Sequence, residues 1–184
     1  MILRNSLVPI ALAAALAAPA TAATHGPSGH GGRVTVMTQN LYLGTDLAPI
    51  FAAPSVPALF SAVGAGWMQV QANDFPARAD ALAREIAVAE PDLVGLQEAT
   101  LYRTDVPSDG PATPAETVAY DFVRLLVDAL ARHGERYRPV SVFTGTDAEL
   151  PAGLPPALDV RLTDRVVVLA RLGGRDDRMT VGNP

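Results

Sequence analysis

Apolar residues repeat with two periods along this chain, and the change of period predicts alternating strands and helices. The clearest helical pattern covers residues 75–89, where apolar residues recur at positions i, i+3, i+4 and i+7 from Ala79. Asp74 and Pro76 are typical of the first turn of a helix, and Pro91 follows the last turn. A helix with one apolar face is therefore predicted over this segment.

Short apolar runs stand on both sides of this helix. Residues 34–39 are rich in valine and threonine, and residues 93–96 are continuously apolar, so both are predicted to be strands. A strand, a helix and a strand in this order favour a right-handed crossover, which makes the two strands parallel. The predicted fold class is therefore α/β, or α+β when the rest of the chain is included.

The remaining segments predict further helices, strands and loops. Residues 58–72 have partly helical spacing, and Thr113 and Glu116 form a capping box that predicts a helix as far as His133. Strands are also predicted at residues 140–144 and 165–170, and loops at residues 44–57, 102–112 and 145–156.

Composition excludes several classes of function. The chain contains no cysteine, which excludes disulfides, thiolate zinc sites and cysteine nucleophiles. Its formal net charge is −5, without a basic block, so tight non-specific binding to duplex nucleic acid is not expected. A hydrophobic content of 49% with 18% charged residues is typical of a globular domain.

The first 23 residues have the pattern of a secretory signal peptide. Arg4 precedes an apolar stretch at residues 7–18, and small residues near residue 22 match a cleavage site. Export to the extracellular space or the periplasm is therefore predicted. The apolar stretch is shorter than the roughly 20 residues that span a bilayer, so no transmembrane segment is expected in the mature chain. Residues 24–33 are predicted to be a linker and residues 34–184 the folded domain.

Candidate chemistry stands at the ends of the two predicted parallel strands. Asn40 follows the first strand and Glu98 follows the second. The carboxyl ends of parallel strands meet at one edge of a sheet, where ligand sites gather. A carboxylate beside an amide suits a hard cation such as Mg²⁺, Mn²⁺ or Ca²⁺. Taken singly, Glu98 also fits a solvated strand-end carboxylate, and Asn40 fits a turn residue.

Three segments resemble motifs of the endonuclease/exonuclease/phosphatase family, the deoxyribonuclease I-like phosphoesterases. They are residues 36–42 (VMTQNLY), residues 91–98 (PDLVGLQE) and residues 164–171 (DRVVVLAR). The resemblance implies a four-layer α/β/β/α sandwich in which two sheets pack face to face. It also implies hydrolysis of phosphoester bonds with Mg²⁺, in which Glu98 holds the metal and Asn40 helps to organise it. Glu98 and Asn40 are thus the candidate catalytic and metal-binding residues.

The resemblance is to the N-terminal part of the family domain. The family's later histidine and aspartate motifs have no counterpart after residue 171, so an incomplete and inactive chain is expected. Two hypotheses follow: a secreted metal-dependent phosphoesterase, or a non-catalytic secreted remnant or binding module of the same fold. The motifs leave the phosphoester substrate open between nucleic acid, phospholipid and a small phosphate ester. No stable protein partner is inferred.

Four further residues are weaker candidates for substrate contact. Tyr102 and Arg103 closely follow the glutamate of the second motif, on a loop that is expected to rim the site. Arg161 and Arg165 stand near the start of the last strand, and two guanidinium groups together suit a phosphate. Such a charged cluster more commonly forms ion pairs within a loop.

Overall fold

A computed structural model describes residues 33–173 of the chain, which form a mixed α+β unit with one six-stranded sheet and four helices. The strands are β1 (Val36–Asn40), β2 (Leu93–Gln97), β3 (Leu101–Asp105), β4 (Thr117–Asp121), β5 (Tyr137–Ala152) and β6 (Leu158–Arg171). The helices are α1 (Ala48–Phe51), α2 (Val56–Ala72), α3 (Phe75–Ala89) and α4 (Phe122–Arg132). The predicted signal peptide and all of the predicted linker except Arg33 lie outside the described residues.

The predicted strand–helix–strand unit is confirmed. β1 and β2 pair in parallel, with Val36 opposite Leu93 at one end and Asn40 opposite Gln97 at the other. α1, α2 and α3 lie between them in the chain, and the first turn of α3 is capped by the Asp74 side chain. The parallel register places the carboxyl ends of both strands at the same edge of the sheet, as the sequence predicts.

β6 is the central strand of the sheet. β5 pairs with it along nearly its whole length, while β2 and β3 follow one another along the other edge. β1 extends the sheet beyond β2, and β4 extends it beyond β3. The junction between β2 and β3 therefore lies in the middle of the sheet, where a change of backbone direction affects both halves.

A β-bulge occupies that junction. β2 pairs with β6 as far as Leu96, and β3 resumes the pairing at Leu101. The chain advances five residues across this gap, whereas β6 advances only four, so one residue is extra. Glu98 lies in the bulge with φ of +52°. The bulge interrupts the alternation of side chains and aims Glu98 towards the end of β1.

Helices α3 and α4 pack together and carry the aromatic centre of the core. The rings of Phe75 and Phe122 are stacked, with centroids 3.6 Å apart and planes 2° from parallel. Tyr102 lies against Phe122 at 6.0 Å between ring centroids. Around these rings are other fully buried side chains: Leu41, Ile86, Val94, Leu96, Leu126, Leu130, Val167 and Leu169.

The predicted loop at residues 102–112 is wrong in its first part, because Leu101–Asp105 forms β3. This strand pairs with β4 on one side and β6 on the other, so both edges of its backbone are hydrogen-bonded. The side chain of Tyr102 points into the core, where only 2% of the residue is exposed. Tyr102 and Thr104 are residue types that favour strands, and the partners that stabilise β3 are distant in sequence.

The predicted helical start at the capping box is also wrong. Residues 117–121 form β4, and α4 begins only at Phe122. The Asp121 side chain accepts hydrogen bonds from Val123 N and Arg124 N, so Asp121 is the N-cap of the helix. A strand partner in β3 and a good cap at Asp121 together outweigh the local signal of the capping box.

Residues 145–156 were expected to form a loop, but most of them continue a long strand. β5 runs from Tyr137 to Ala152, and the connection to β6 covers only residues 153–157. The pairing of β5 with β6 shifts register near Pro139 and again between Thr144 and Asp147. These two irregularities let the strand continue through Pro139 and Gly145. The prediction at 165–170 was correct in type but too short, since β6 covers Leu158–Arg171.

A short helix, α1, interrupts the loop predicted at residues 44–57. The helix predicted at residues 58–72 is confirmed and begins slightly earlier, at Val56. Across residues 33–173, no helix has both the length and the hydropathy that crossing a membrane requires. The second sheet of the four-layer sandwich stays a prediction, because the described strands belong to one sheet.

Candidate metal site at the sheet edge

The structure brings Asn40 and Glu98 together at the carboxyl ends of β1 and β2. Asn40 Nδ2 donates a hydrogen bond to Glu98 Oε1 at 2.9 Å. Leu43 N donates to the other carboxylate oxygen, Oε2, at 2.8 Å. Asn40 Oδ1 accepts a hydrogen bond from Tyr42 N at 2.7 Å, which forms a tight turn after β1. The carboxylate is therefore held at both oxygens, and each oxygen keeps one free lone pair for a further partner.

Two of the four described non-glycine residues with positive φ lie at this site. Glu98 and Tyr42 both have positive φ, +52° and +53°, although neither is glycine. A side chain in this left-handed region costs about 1 kcal/mol or more, and such residues persist where the surrounding structure fixes them. Two strained residues around one carboxylate indicate that the orientation of Glu98 is held at some cost to stability.

Arg78 of α3 holds the turn that follows Asn40. Its Nη2 donates to Leu41 O at 2.7 Å, and its Nη1 lies 3.5 Å from Tyr42 O. The guanidinium carbon lies 5.6 Å from the ring centroids of both Tyr42 and Phe75, which is within the range of a cation–π contact. The crossover helix therefore supplies the group that fixes the turn beside the candidate ligand.

Replacing Arg78 by methionine tests this clamp. The Arg78→Met side chain keeps the apolar stem but leaves the carbonyls of Leu41 and Tyr42 without their charged donor. We expect about 1.5–3 kcal/mol less stability and about tenfold weaker binding of Mn²⁺. Thermal unfolding and Mn²⁺ titration measure the two effects. Arg84→Met, on an exposed position of the same helix, is the control. Unchanged Mn²⁺ affinity with lowered stability would show that Arg78 serves folding alone.

Tyr102 has a different position from the expected one. It was predicted to rim the site on an exposed loop, but it lies in the core on β3. Its hydroxyl donates to Leu43 O at 2.9 Å. Burial raises the pKa of the Tyr102 hydroxyl, and the charge of Glu98 raises this pKa further, so the group stays a neutral donor. Through Leu43, Tyr102 fixes the backbone amide that binds the Glu98 carboxylate.

Arg103 and Arg161 lie on neighbouring strands and both form ion pairs with the carboxylate of Asp147. Arg161 Nε donates to Asp147 Oδ1 at 2.9 Å, and Arg161 Nη2 donates to Oδ2. This hydrogen bonding from Arg161 lowers the pKa of Asp147. Arg103 Nη2 lies 3.7 Å from Asp147 Oδ1 and also donates to Thr163. The cluster is the ion-paired alternative of the sequence analysis, and contact with substrate stays a prediction.

Arg165 fixes the bulge from the opposite strand. Its Nε donates to Ala99 O at 2.8 Å, and its backbone carbonyl accepts from Ala99 N at 2.9 Å. Its Nη2 also pairs with Asp121, the N-cap of α4. The two arginines suggested as a phosphate clamp therefore pair with different carboxylates, and Arg165 acts on the residue that directly follows Glu98.

Asp164 is a site residue that motif reasoning left without a role. It stands on β6 opposite the bulge, and its Oδ1 is buried without a hydrogen-bond partner among the described residues. Burial raises the pKa of the Asp164 carboxyl, and the charge of Glu98 raises this pKa further. The position next to Arg165 in the third motif is the only sequence signal for it. A positive charge near both carboxylates would offset this electrostatic cost.

The oxygen donors of this edge fit a hard cation. Glu98 and Asp164 provide carboxylates and Asn40 provides an amide oxygen, and Mg²⁺ typically takes one or two protein carboxylates with water filling its shell. Among residues 33–173, no group of three or more histidine, cysteine, aspartate or glutamate side chains is placed to hold a metal.

Comparisons with known proteins add one distant likeness. No family model matches the chain, and no curated protein matches it. An endonuclease/exonuclease/phosphatase family protein from Leptotrichia buccalis C-1013-b is 16% identical, with a TM-score of 0.28. The alignment covers 51% of this chain and 30% of that protein. A likeness at this TM-score shows neither a shared fold nor a shared function.

Proposed function

We propose that this chain carries the cation-binding site of a metal-dependent phosphoesterase, with Glu98 as its charged ligand. The supporting observation is the Glu98 carboxylate, which is held at both oxygens by Asn40 and Leu43 N on a strained bulge. Strained, over-determined side chains of this kind are typical of functional sites. When bound, a divalent cation polarises a phosphoryl oxygen and lowers the pKa of a bound water.

The residues around Glu98 take separate roles in this proposal. Asn40 orients Glu98 through its amide nitrogen, and the second lone pair of its oxygen remains available to a cation. Asp164 supplies a second carboxylate from β6. Arg78, Tyr102 and Arg165 position the turn and the bulge.

The wider proposal follows the sequence motifs. It includes the four-layer sandwich of the deoxyribonuclease I-like family, export by residues 1–23, and a phosphoester substrate. Nucleic acid, phospholipid and small phosphate esters share the phosphate group that the site would bind, so the substrate class is left to experiment. The motifs at residues 36–42 and 91–98 and the apolar N-terminal stretch support these points.

Hydrolysis of bis(4-nitrophenyl) phosphate by the purified full chain tests the activity. The rate is measured against the concentration of Mg²⁺, Mn²⁺ and Ca²⁺, and again after removal of the cation with EDTA. A rate that rises and saturates with the cation supports the phosphoesterase. Cation binding without turnover would support the non-catalytic module instead. Absence of cation binding would refute the site.

Asn40→Ala should weaken cation binding by about 10- to 100-fold, the usual loss when a residue that orients a ligand is removed. The substitution removes the donor to Glu98 Oε1 and the acceptor for Tyr42 N, but leaves the charge of Glu98 in place. Mn²⁺ titration measures the loss, and circular dichroism checks the fold. An effect as large as that of Glu98→Gln would contradict the division of roles between the two residues.

A further inference from the structure

An apolar pocket lies between the one-turn helix α1, helix α2 and strands β3, β5 and β6. Its volume is about 150 Å³, and nearly all of its wall is hydrocarbon. Residues from all five elements line it, among them Ile50, Val63, Trp67, Tyr102, Ala148 and Leu162. Neither Asn40 nor Glu98 belongs to the wall, so the pocket is distinct from the candidate metal site.

The walls offer little to a polar occupant. The side-chain hydroxyls in the lining belong to Thr45, Thr146 and Tyr102. Thr45 Oγ1 is 2.9 Å from Gln69 Oε1, and the Tyr102 hydroxyl donates to Leu43 O, so these two are already engaged and Thr146 stands at an exposed position. An ordered water needs two to four polar partners, which this wall does not supply. An apolar group therefore fits the pocket better than water does.

Size and wall chemistry favour an aromatic ring. A cavity of about 150 Å³ holds one benzene-sized molecule. Trp67 is tilted by 54° against Tyr102 with ring centroids 5.7 Å apart, so the wall presents both a ring face and a ring edge. An incoming ring gains from such tilted contacts beyond the area that it buries. Phe51, which also lines the pocket, is 80% exposed and would be partly covered by an occupant.

We propose that this pocket binds a single six-membered aromatic ring of a small molecule. The ring packs against Trp67 and Tyr102 and covers part of Phe51. Neither Asn40 nor Glu98 lines the pocket, although Tyr102 is shared: its ring forms part of the wall and its hydroxyl donates to Leu43 O beside Glu98. The pocket is thus a second ligand site of the described unit, and its test does not require phosphoesterase activity.

Fluorescence of Trp67, the only tryptophan of the chain, reports on the pocket directly. The full chain is titrated with benzyl alcohol, and 1-hexanol serves as a flexible alkyl probe of similar size. We expect a saturable change with benzyl alcohol and at least tenfold weaker binding of 1-hexanol. Benzyl alcohol should also raise the melting temperature of the wild-type chain. Equal or tighter binding of 1-hexanol would overturn the preference for a ring.

Two substitutions on β5 locate the binding. Ala148→Phe places a ring in the lining, and we expect the saturable fluorescence change to be lost. Val142→Phe adds the same ring at an exposed position of the same strand that is not part of the lining, and should bind as the wild type does. Glu98→Gln should also retain binding, which separates this proposal from the cation site. No saturable change and no rise in melting temperature with the wild-type chain would refute the pocket whatever the variants do.

Discussion

Glu98→Gln should lower cation-dependent hydrolysis of a phosphodiester about a thousandfold, which corresponds to about 4 kcal/mol of transition-state stabilisation. Glutamine keeps the shape of the side chain but removes the charge that holds the cation. The cation stabilises charge that develops on the phosphoryl oxygens, so its loss acts on the rate directly. The rate against Mg²⁺ concentration, for wild type and variant, measures the effect.

A matched control separates this effect from general loss of charge. Glu116 is an exposed glutamate on the segment before β4, and Glu116→Gln should leave rate and metal dependence unchanged. Circular dichroism checks that Glu98→Gln folds. Normal metal dependence in Glu98→Gln would remove Glu98 as the ligand. If the chain lacks turnover, cation affinity is the readout for the same pair of variants.

Phe122→Ala should lower the free energy of unfolding by about 3–5 kcal/mol, the usual cost of removing a buried phenyl ring. Only 1% of Phe122 is exposed, and its ring stacks on Phe75 at 3.6 Å between centroids. The alanine leaves a cavity between α3 and α4, and also removes the aromatic contact with Tyr102. Urea unfolding of the wild type and the variant measures the difference.

Phe143 on β5 provides the control for this prediction. It is 66% exposed, so Phe143→Ala should change the free energy of unfolding by less than about 0.5 kcal/mol. A loss below about 1 kcal/mol in Phe122→Ala would contradict the aromatic centre described between the two helices. Because Phe75 and Tyr102 also contact the site turn through Arg78 and Leu43, the variant should weaken Mn²⁺ binding as well.

The parts of the fold that the sequence predicts are those whose signals are local. α3 has a complete helical period, a capping aspartate and a terminating proline, and its bounds are confirmed. β1 and β2 are short apolar runs separated by a helical segment that ends in α3, and such a crossover is the usual connection between parallel strands. The meeting of Asn40 and Glu98 follows from this pairing, because both residues stand at the carboxyl ends of their strands.

Elements that depend on distant partners were not predictable in the same way. β3 is stabilised by β4 and by β6, which lies about sixty residues later, and nothing within residues 101–105 reveals those partners. The capping box at Thr113 is a real local signal, but pairing of β4 with β3 and the Asp121 cap displace the helix start. The register shifts at Pro139 and Gly145 depend on the pairing of β5 with β6, which the local sequence does not reveal.

The residues that support the candidate site were also not predictable from local sequence signals. Arg78 lies on a helix face, and only the packed structure brings its guanidinium to the carbonyls of Leu41 and Tyr42. Asp164 stands on β6 opposite the bulge between β2 and β3, where the charge of Glu98 helps to raise its pKa. Positive φ at Glu98 is a backbone feature without a sequence signature, since glycine is the usual residue there.

Direct titration of Mn²⁺ tests the central claim, which is that Glu98 holds a divalent cation at the carboxyl edge of β1 and β2. Free Mn²⁺ is followed by electron paramagnetic resonance for the wild-type chain, Glu98→Gln and Glu116→Gln, with circular dichroism on each. If Glu98 holds the cation, we expect saturable binding in the wild type and in Glu116→Gln, and a loss of affinity of more than about a hundredfold in Glu98→Gln. Equal Mn²⁺ affinity in all three folded proteins would contradict it.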